Sequence, residues 1–324
     1  MLVKEETLSR LAQIPKLTLR RHVPLSRHTR FGLGGPAEAY LETSHEESMI
    51  QALRLIAQSG THAVVIGGGT NLVVSDQGFP GVVLRFTAAG IQALGNCVRA
   101  DAGAELQHLV DFTTSHGLQG LETMTGIPGS VGAAVYGNAG AYGHSIMERV
   151  RSVRFYDGER VRELSNEDCD FRYRESVFKR RKDWIIFTAD LELSEAPAAD
   201  LQKIADDILK IRNQKYPPDM KCAGSIFKNL ILADLPAHAR EAVPPKAVRE
   251  GKVASAWFLE QVGSKGLRNG GIHVADYHAN LIYNSGNGTA IELLAIIDSM
   301  KSRVREQFGF DLEEEIQYVG FDSR

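Results

Sequence analysis

AVVIGGGTNLVV, at residues 63–74, sets three consecutive glycines between two short apolar runs. Short apolar runs bounded by glycine are typical of buried strands. Glycine allows positive φ and close backbone approach, so successive N–H groups can converge on a pyrophosphate. A tight hairpin turn is the alternative, and the GxGxxG spacing of dinucleotide-binding motifs does not occur here. The stretch predicts a strand–turn–strand unit whose candidate phosphate-binding residues are Gly67, Gly68, Gly69, Thr70 and Asn71.

Short strands and single helices alternate outward from this turn, which is typical of mixed α and β structure. Ser44 and Glu47 have the spacing of a capping box, and Gly60 is placed to end the helix that follows. A polar lead-in precedes them. The remaining predicted helices cover 105–116, 200–212, 254–262 and 289–308, and the remaining predicted strands cover 82–84, 150–156, 184–193 and 312–319.

The bulk composition limits the class of protein. With 324 residues, 43% of them hydrophobic and 24% charged, the chain is expected to form two or three globular domains. The formal charge of −3 argues against binding to nucleic acid or a membrane surface. Cys97, Cys169 and Cys222 are scattered, which indicates neither disulfides nor a zinc site. The charged N-terminus lacks the apolar stretch of a signal peptide, so we expect a cytoplasmic protein.

A second glycine cluster follows at residues 126–143, where six glycines occur with little side-chain bulk. A flat cofactor and its diphosphate could lie against such bare backbone. Close packing of a helix on a strand is the alternative, because glycine and alanine also permit that. Taken with the first cluster, the stretch favours a nucleotide-type cofactor.

Seven segments together resemble one known family, the UDP-N-acetylenolpyruvoylglucosamine reductases of peptidoglycan synthesis. Any one segment is weak, whereas their joint presence in the family's order is specific. The resemblance covers nearly all of the chain beyond residue 20. The segments are His28–Ala37, Val65–Leu72, Gly126–Gly143, Tyr173–Ser176, Ala223–Asn229, Lys265–Gly271 and Leu312–Ile316.

The resemblance implies an α+β protein with a two-subdomain FAD-binding fold of the vanillyl-alcohol-oxidase (PCMH) type and a C-terminal α/β substrate domain. The short path from Tyr173 to Ser225 lacks room for the extra tyrosine loop of one family branch, so the chain resembles the loop-less branch. The implied bounds are 1–20 for the lead-in, 21–198 for the FAD-binding domain (subdomains 21–90 and 91–198), 199–308 for the substrate-binding domain, and 309–324 for a strand returning to the FAD domain.

The resemblance also implies reduction of UDP-N-acetylglucosamine enolpyruvate to UDP-N-acetylmuramate by a flavoenzyme. Bound FAD would deliver the hydride, which no side chain can do, and NADPH would be its source. The implied cofactor-binding residues are Gly67, Gly68, Gly69, Thr70, Asn71, Gly126, Ile127, Pro128, Gly129, Ser130, Gly132, Ala133, Asn138 and Gly140. The implied substrate-binding residues are Asn229, Lys265, Arg268 and His278, although His278 also fits a structural histidine.

Three catalytic residues follow from the same resemblance. Arg174 would stabilise the carboxylate or enolate, because a guanidinium binds carboxylate in bidentate fashion. Outside its Tyr-Arg-x-Ser motif it would be a surface charge. Ser225 would donate the proton, since an enolate is basic enough to take one from a hydroxyl, although after Gly224 it also fits a turn. Glu315 would polarise the developing enol, but composition alone does not choose between Glu315 and Glu313.

Two other functions fit parts of the pattern. Another FAD-dependent oxidase or dehydrogenase on the same fold would need a base for a substrate hydroxyl, and would not need Ser225 and Glu315 together. A non-catalytic nucleotide-sugar-binding module would tolerate the loss of Arg174, Ser225 and Glu315. The expected partner is a small-molecule UDP-sugar, with no nucleic acid, no membrane and no metal, and the expected oligomeric state is a monomer.

Overall fold

The two strands that flank the glycine turn do not pair with each other. In this computed structural model, which describes residues 3–321, Ala63–Ile66 pairs in parallel with Phe79–Phe86. Leu72–Val74 pairs in parallel with Gln317–Val319, close to the other end of the chain. The turn therefore closes no hairpin. It is instead the point at which the chain leaves one structural unit and enters another.

The contacts between Cα atoms divide the chain into two units, each with its own apolar core. The first unit holds the described residues up to Val23, together with Ala37–Gly69 and Pro80–Pro217. The second holds Pro24–Pro36, Thr70–Phe79 and the described residues from Pro218 onward. The expected domain boundary at residues 198–199 thus differs from the observed division, which falls at 217–218.

The first unit contains two sheets and the helices that cover them. One sheet has the strand order Thr18–Pro24, Pro36–Thr43, Phe79–Phe86, Ala63–Ile66. The other has the order Val161–Ser165, Val150–Tyr156, Ile185–Glu192, Cys97–Asp101, Ile91–Leu94. The helices are Glu5–Ala12, Glu46–Ser59, Leu106–Ser115, Val131–Tyr136, Val177–Arg180 and Ala198–Lys215. There are also two small sheets of two strands each. In one, Leu118–Gln119 pairs with Ser194–Glu195, and in the other Gly140–Ala141 pairs with His144–Ser145.

The helix Ala198–Lys215 explains why the division differs from the expected one. It buries Leu201, Ala205 and Ile208 and packs on the helix Leu106–Ser115 of the first unit. The change of unit falls between Pro217 and Pro218, which follow this helix. A helix that buries an apolar stripe belongs with the core that covers the stripe, whatever hinge precedes it.

The polar lead-in, for which the sequence predicted no element, contains the helix Glu5–Ala12, whose Leu8 and Leu11 are buried in the first core. One local expectation in the first unit is wrong. The helix predicted to be capped by Ser44 begins at Glu46, and its N-cap residue makes no side-chain hydrogen bond. Its predicted end at Gly60 is confirmed, because Gly60 adopts the left-handed conformation there.

The second unit is a smaller α/β assembly. Its helices are Ala237–Ala242, Ser255–Gln261 and Ala290–Phe308. Its main sheet has the order Arg268–Asn269, Ile272–Ala275, His278–Asn284. A small sheet has the order Leu230–Ile231, Lys252–Val253, Val248–Arg249, and Leu72–Val74 pairs with Gln317–Val319. The mixture of helices and strands in both units confirms the predicted α+β class.

The C-terminal strand is shorter than predicted, because only Gln317–Val319 forms a ladder within the predicted 312–319. Its partner, Leu72–Val74, comes from the sequence of the predicted FAD domain but lies in the second unit. Residues 322–324, the last of the expected C-terminal segment 309–324, lie outside the described residues, as do residues 1 and 2 of the lead-in. No helix within residues 3–321 has the length and apolar character needed to cross a membrane.

Candidate active site

The two glycine clusters lie directly against each other in the first unit. A Cβ placed on Gly67 would lie 2.8 Å from Ser130 Oγ and 3.2 Å from Ala133 Cβ. A Cβ placed on Gly68 would lie 3.2 Å from the Cα of Gly129. These approaches are closer than ordinary van der Waals contacts, so a side chain at either position would force its neighbours to shift. The structure thus brings together two stretches that are separated by nearly sixty residues in the sequence.

Backbone N–H groups without a protein acceptor cluster at this junction. Within residues 3–321, the N–H groups of Gly68, Gly69 and Gly129 donate no hydrogen bond. Gly69 is buried, and buried N–H groups are normally paired. The junction therefore fits a ligand that presents several acceptor oxygens, such as the diphosphate of FAD.

The remaining part of the second cluster is anchored to neighbouring helices. Gly126 N–H donates to Gln107 Oε1 at 2.7 Å, and Gly132 N–H donates to Ala102 O at 2.9 Å. A Cβ on Gly126 would lie 3.1 Å from Arg212 Cδ and Nε, so this guanidinium borders the cluster. Arg212 was not singled out from the sequence, because its helix was assigned to the substrate domain. Ile127 is half-buried, and Pro128 is exposed.

Arg174 lies at the tip of a tight turn in the first unit. Arg172 and Glu175 exchange backbone hydrogen bonds of 3.0 and 3.1 Å, and Arg174 has a φ of +58° between them. Its guanidinium donates to Gly140 O at 2.9 Å and to Asn138 O at 3.4 Å. The sequence-predicted Arg174, Asn138 and Gly140 are therefore in contact.

The surroundings of Arg174 are strongly charged. Lys179 Nζ donates to Arg174 O and to Glu175 Oε1, each at 2.8 Å. The Lys179 side chain is only 14% exposed, whereas Arg180, Arg181 and Lys182 after it are exposed. Burial, together with the charge of Glu175, raises the pKa of Tyr136. Arg174 is thus held by fixed backbone and charge contacts.

Ser225 lies in the second unit on an extended segment between two others. It forms an antiparallel bridge with Leu281, and Phe227 forms one with Glu314. Glu315 N–H donates to Ile226 O at 2.7 Å. The backbones of Ser225 and Glu315 are thereby brought onto neighbouring segments from opposite ends of the unit's sequence.

The three consecutive glutamates have different surroundings. Glu313 pairs with Lys228, and its side chain is 70% exposed. Glu314 pairs with Lys301 at 2.7 Å and accepts a hydrogen bond from Tyr318. Glu315 is half-buried, and its backbone is anchored to the Ser225 segment. Composition alone did not distinguish Glu313 from Glu315. In the structure the two differ, because Glu313 is exposed and Glu315 is half-buried.

Asn71 also lies in the second unit, where it contacts the segment of Glu315. Its side-chain Nδ2 donates to the backbone oxygen of Glu315 at 3.0 Å, and its backbone carbonyl accepts from Gln317 N–H at 2.9 Å. Thr70 and Asn71 therefore differ from the glycines that precede them, which remain in the first unit. Of the predicted cofactor-binding turn, Gly67, Gly68 and Gly69 belong to the first unit, whereas Thr70 and Asn71 belong to the second.

The four predicted substrate residues all lie in the second unit. Asn229 is exposed and directly follows the buried Lys228. His278 begins the strand that carries the partner of Ser225, and its Nδ1 accepts from Asn280 N–H at 3.1 Å. These two residues lie on the segments that adjoin Ser225.

Lys265 and Arg268 lie on a turn and a short strand outside those segments. Lys265 pairs with Glu260 at 3.0 Å, and both side chains are roughly two-fifths exposed. Arg268 is exposed and lies opposite His273 on the neighbouring antiparallel strand. A Cβ on Gly266 would lie 2.6 Å from Asp276 Oδ1, so the Lys265 turn adjoins the turn before His278.

Comparison with known proteins supports this organisation. Residues 37–162 match a family described as "FAD binding domain". Residues 216–319 match a family described as "UDP-N-acetylenolpyruvoylglucosamine reductase, C-terminal domain". The two matches fall respectively on sequence of the first and second units, apart from the segment that contains Leu72–Val74.

Whole-chain relatives agree with the two domain matches. A UDP-N-acetylenolpyruvoylglucosamine reductase of Solibacter usitatus is 59% identical over 311 residues, which is 96% of this chain and 100% of the relative. A UDP-N-acetylenolpyruvoylglucosamine reductase of Rubrobacter xylanophilus is 35% identical, and the match covers 92% of this chain and 94% of the relative.

A solved structure, that of UDP-N-acetylenolpyruvylglucosamine reductase from Thermus caldophilus, superposes with a TM-score of 0.75 at 27% identity. The match covers 94% of this chain and 99% of that one. The FAD-binding fold predicted from the sequence is thus confirmed, and the protein is an FAD-dependent oxidoreductase. The chain belongs to the UDP-N-acetylenolpyruvoylglucosamine reductase family.

Proposed function

We propose that this chain reduces UDP-N-acetylglucosamine enolpyruvate to UDP-N-acetylmuramate, with NADPH as the source of hydride. The observation that carries the proposal is the hydrogen bond between Glu315 N–H and Ile226 O, which joins the segments of Ser225 and Glu315. A hydroxyl and a carboxylate held on adjacent segments suit protonation of a carbanionic centre.

FAD, held at the glycine junction of Gly67, Gly68 and Gly129, would supply a hydride to the terminal carbon of the enolpyruvyl double bond. The electron pair of that bond moves to the neighbouring carbon and is delocalised into the carboxylate. Ser225 Oγ–H then donates its proton to that carbon, and the serine oxygen regains a proton from solvent. The double bond has gained one hydride and one proton, so the reaction balances.

Glu315 and Arg174 stabilise the charge that develops on the substrate in this proposal. Glu315 is proposed to polarise the developing enol through a hydrogen bond. Arg174 supplies a permanent positive charge for the carboxylate, and its contacts with Gly140 O and Asn138 O keep its guanidinium oriented. Asn229, Lys265, Arg268 and His278 are proposed to bind the UDP-sugar.

The binding order and the cellular setting complete the proposal. NADPH reduces the flavin and leaves before the sugar binds, and the protein acts as a cytoplasmic monomer on a small-molecule substrate. Initial-rate kinetics with both substrates should give parallel lines in a double-reciprocal plot. Intersecting lines would contradict this order.

The proton step is tested by measuring the two half-reactions separately without air. Ser225→Ala should leave bleaching of the flavin by NADPH unchanged, because no proton transfer to substrate occurs there. Its reoxidation by the enolpyruvyl sugar should slow at least ~100-fold, within the range expected for general acid catalysis. Reoxidation at the wild-type rate would exclude Ser225 as the proton donor.

A further inference from the structure

Asn280 forms an unusual set of contacts with the segment that carries Ser225. Its Oδ1 accepts hydrogen bonds from two successive backbone groups, Ile226 N–H at 3.1 Å and Phe227 N–H at 2.9 Å. Its Nδ2 donates to Phe227 O at 2.9 Å and to Ser255 Oγ at 2.8 Å. The side chain uses two acceptor and two donor positions, and the residue is only 2% exposed.

Two successive N–H groups cannot meet one oxygen in a regular strand, because they point to opposite sides. The chain bends at Ile226, immediately after Ser225, and the Asn280 carboxamide accepts from both N–H groups at this bend. Ile226 N–H also donates to the backbone oxygen of Asn280 at 3.1 Å, so Phe227 N–H is the group that depends on the side chain. The same bend lets Ser225 bridge to Leu281 on one side and Phe227 bridge to Glu314 on the other. An apolar side chain at position 280 would leave Phe227 N–H without this acceptor, and the bend would be lost.

Asn280 also fixes the tautomer of His278. A backbone N–H can only donate, so the His278 Nδ1 that accepts from Asn280 N–H carries no proton. In the neutral ring the proton lies on Nε2, which makes that atom a donor. Asn280 is thus in contact with the Ser225 segment, with His278 and with the helix that begins at Ser255.

We propose that Asn280 is a positioning residue for proton delivery: its carboxamide sets the direction of the Ser225 hydroxyl. The inference rests on the proposed function of Ser225 and deepens it. A displacement of about 1 Å in a reacting group can cost about 100-fold in rate, so a lost bend should affect the proton step specifically.

The chain offers a matched control in the same strand. Asn284 is also a buried asparagine, and its side chain makes three hydrogen bonds, to Phe31 O, Gly286 N–H and Gly288 N–H. None of them is to the Ser225 segment. Asn284→Ala therefore reports the structural cost of losing a buried carboxamide without changing the bend.

The test compares flavin-loaded Asn280→Ala, Asn284→Ala and Ser225→Ala in both half-reactions, with melting temperatures. Asn280→Ala should leave reduction by NADPH unchanged and slow reoxidation by the enolpyruvyl sugar about 100-fold. Its solvent deuterium isotope effect on reoxidation should rise. Asn284→Ala should lower the melting temperature and leave both rates unchanged.

If Asn280→Ala reoxidises at the wild-type rate while Ser225→Ala is slow, the positioning role is wrong and the role of Ser225 stands. If Ser225→Ala is fast, both proposals fail. Ser255→Ala provides a milder variant should Asn280→Ala not fold. It removes one acceptor of Nδ2 and should slow reoxidation about fivefold, the effect of one net hydrogen bond. No change in that variant would also overturn the positioning role.

Discussion

Glu313, Glu314 and Glu315 illustrate how three identical residues acquire different chemistry from their surroundings. The carboxylate of Glu313 pairs with Lys228 at an exposed position, where an ion pair contributes little free energy. Glu314 bridges Lys301 and Tyr318. Only Glu315 combines partial burial with a backbone hydrogen bond to the Ser225 segment.

Glu315→Gln should therefore slow reoxidation of the flavin by the enolpyruvyl sugar ~100- to 1000-fold, because it removes a charge-stabilising group. Glu313→Gln is the matched control and should alter the rate less than about fivefold, since the Glu313 side chain is 70% exposed. Rapid-mixing absorption at the flavin band measures both. Equal effects of the two substitutions would contradict the assignment of Glu315.

Arg174→Lys tests whether the shape of the cation matters in addition to its charge. Lysine keeps the charge but lacks the planar fork that donates to Gly140 O and Asn138 O. We expect kcat for the sugar to fall ~10-fold or more, while the rate of flavin reduction is retained. A wild-type kcat would show that only the charge is needed.

The residue types of the candidate site could be predicted from the sequence only because several motifs occur together. Ser225 and Arg174 alone are also typical of a turn serine and a surface arginine. Asn280 was missed, because a single asparagine within an apolar strand gives no periodic signal. Its role depends on Ile226 and Phe227, which are more than fifty residues away in the sequence.

At the level of elements, the start of the long helix Ala290–Phe308 is the best-determined local feature. Thr289 Oγ1 accepts from Glu292 N–H, and Glu292 Oε2 accepts from Thr289 N–H, which together form a capping box. Asp76 adds acceptors for the N–H groups of Ala290 and Ile291. Several N–H groups at this helix end are therefore satisfied.

Thr289→Ala should lower the free energy of unfolding by about 1 kcal/mol, the typical value for a lost N-cap. Ser44→Ala is the control, because Ser44 has the same capping-box spacing in the sequence but makes no cap in the structure. It should change stability by less than about 0.5 kcal/mol. Urea unfolding followed by circular dichroism distinguishes the two. Equal losses would show that Ser44 does cap its helix.

The glycine junction predicts a local effect on FAD binding. Gly67→Ala should lower the flavin content of the purified protein, because its Cβ would lie 2.8 Å from Ser130 Oγ. Gly137→Ala is the control, since its Cβ would meet only Ala133 O at an ordinary 3.5 Å. Absorption of released flavin per protein measures the difference. Full flavin content in Gly67→Ala would contradict close packing at the junction.

Over the whole molecule, the helices with a clear local apolar period were predicted near their observed positions. The helices Glu5–Ala12, Val131–Tyr136, Val177–Arg180 and Ala237–Ala242 and the long-range pairings were not. The helix at Leu106–Ser115 follows from a local apolar period. The pairing of Leu72–Val74 with Gln317–Val319 joins segments about 245 residues apart, and no local pattern specifies such a partner. For the same reason the sequence did not indicate that 24–36 and 70–79 belong to the second unit.

Alkaline pH should destabilise the first unit through its buried thiol. Burial, with a contribution from Asp168, raises the pKa of Cys169 from 9.0 to about 12. The unfolded thiol ionises first as pH rises, so its contribution to stability is complete below pH 9.0 and is lost between there and about pH 12. Cys169→Ala should show a shallower decline in melting temperature above pH 9. Identical slopes would contradict this.

The proposed reaction sequence is tested most directly by absorption spectra of the protein recorded without air. NADPH is added first to the flavin-loaded protein, and the UDP-linked enolpyruvyl sugar is added second. We predict that NADPH bleaches the flavin and that its colour returns only when the sugar is added. A flavin that bleaches with NADPH but does not respond to the sugar would contradict the proposed reductase function.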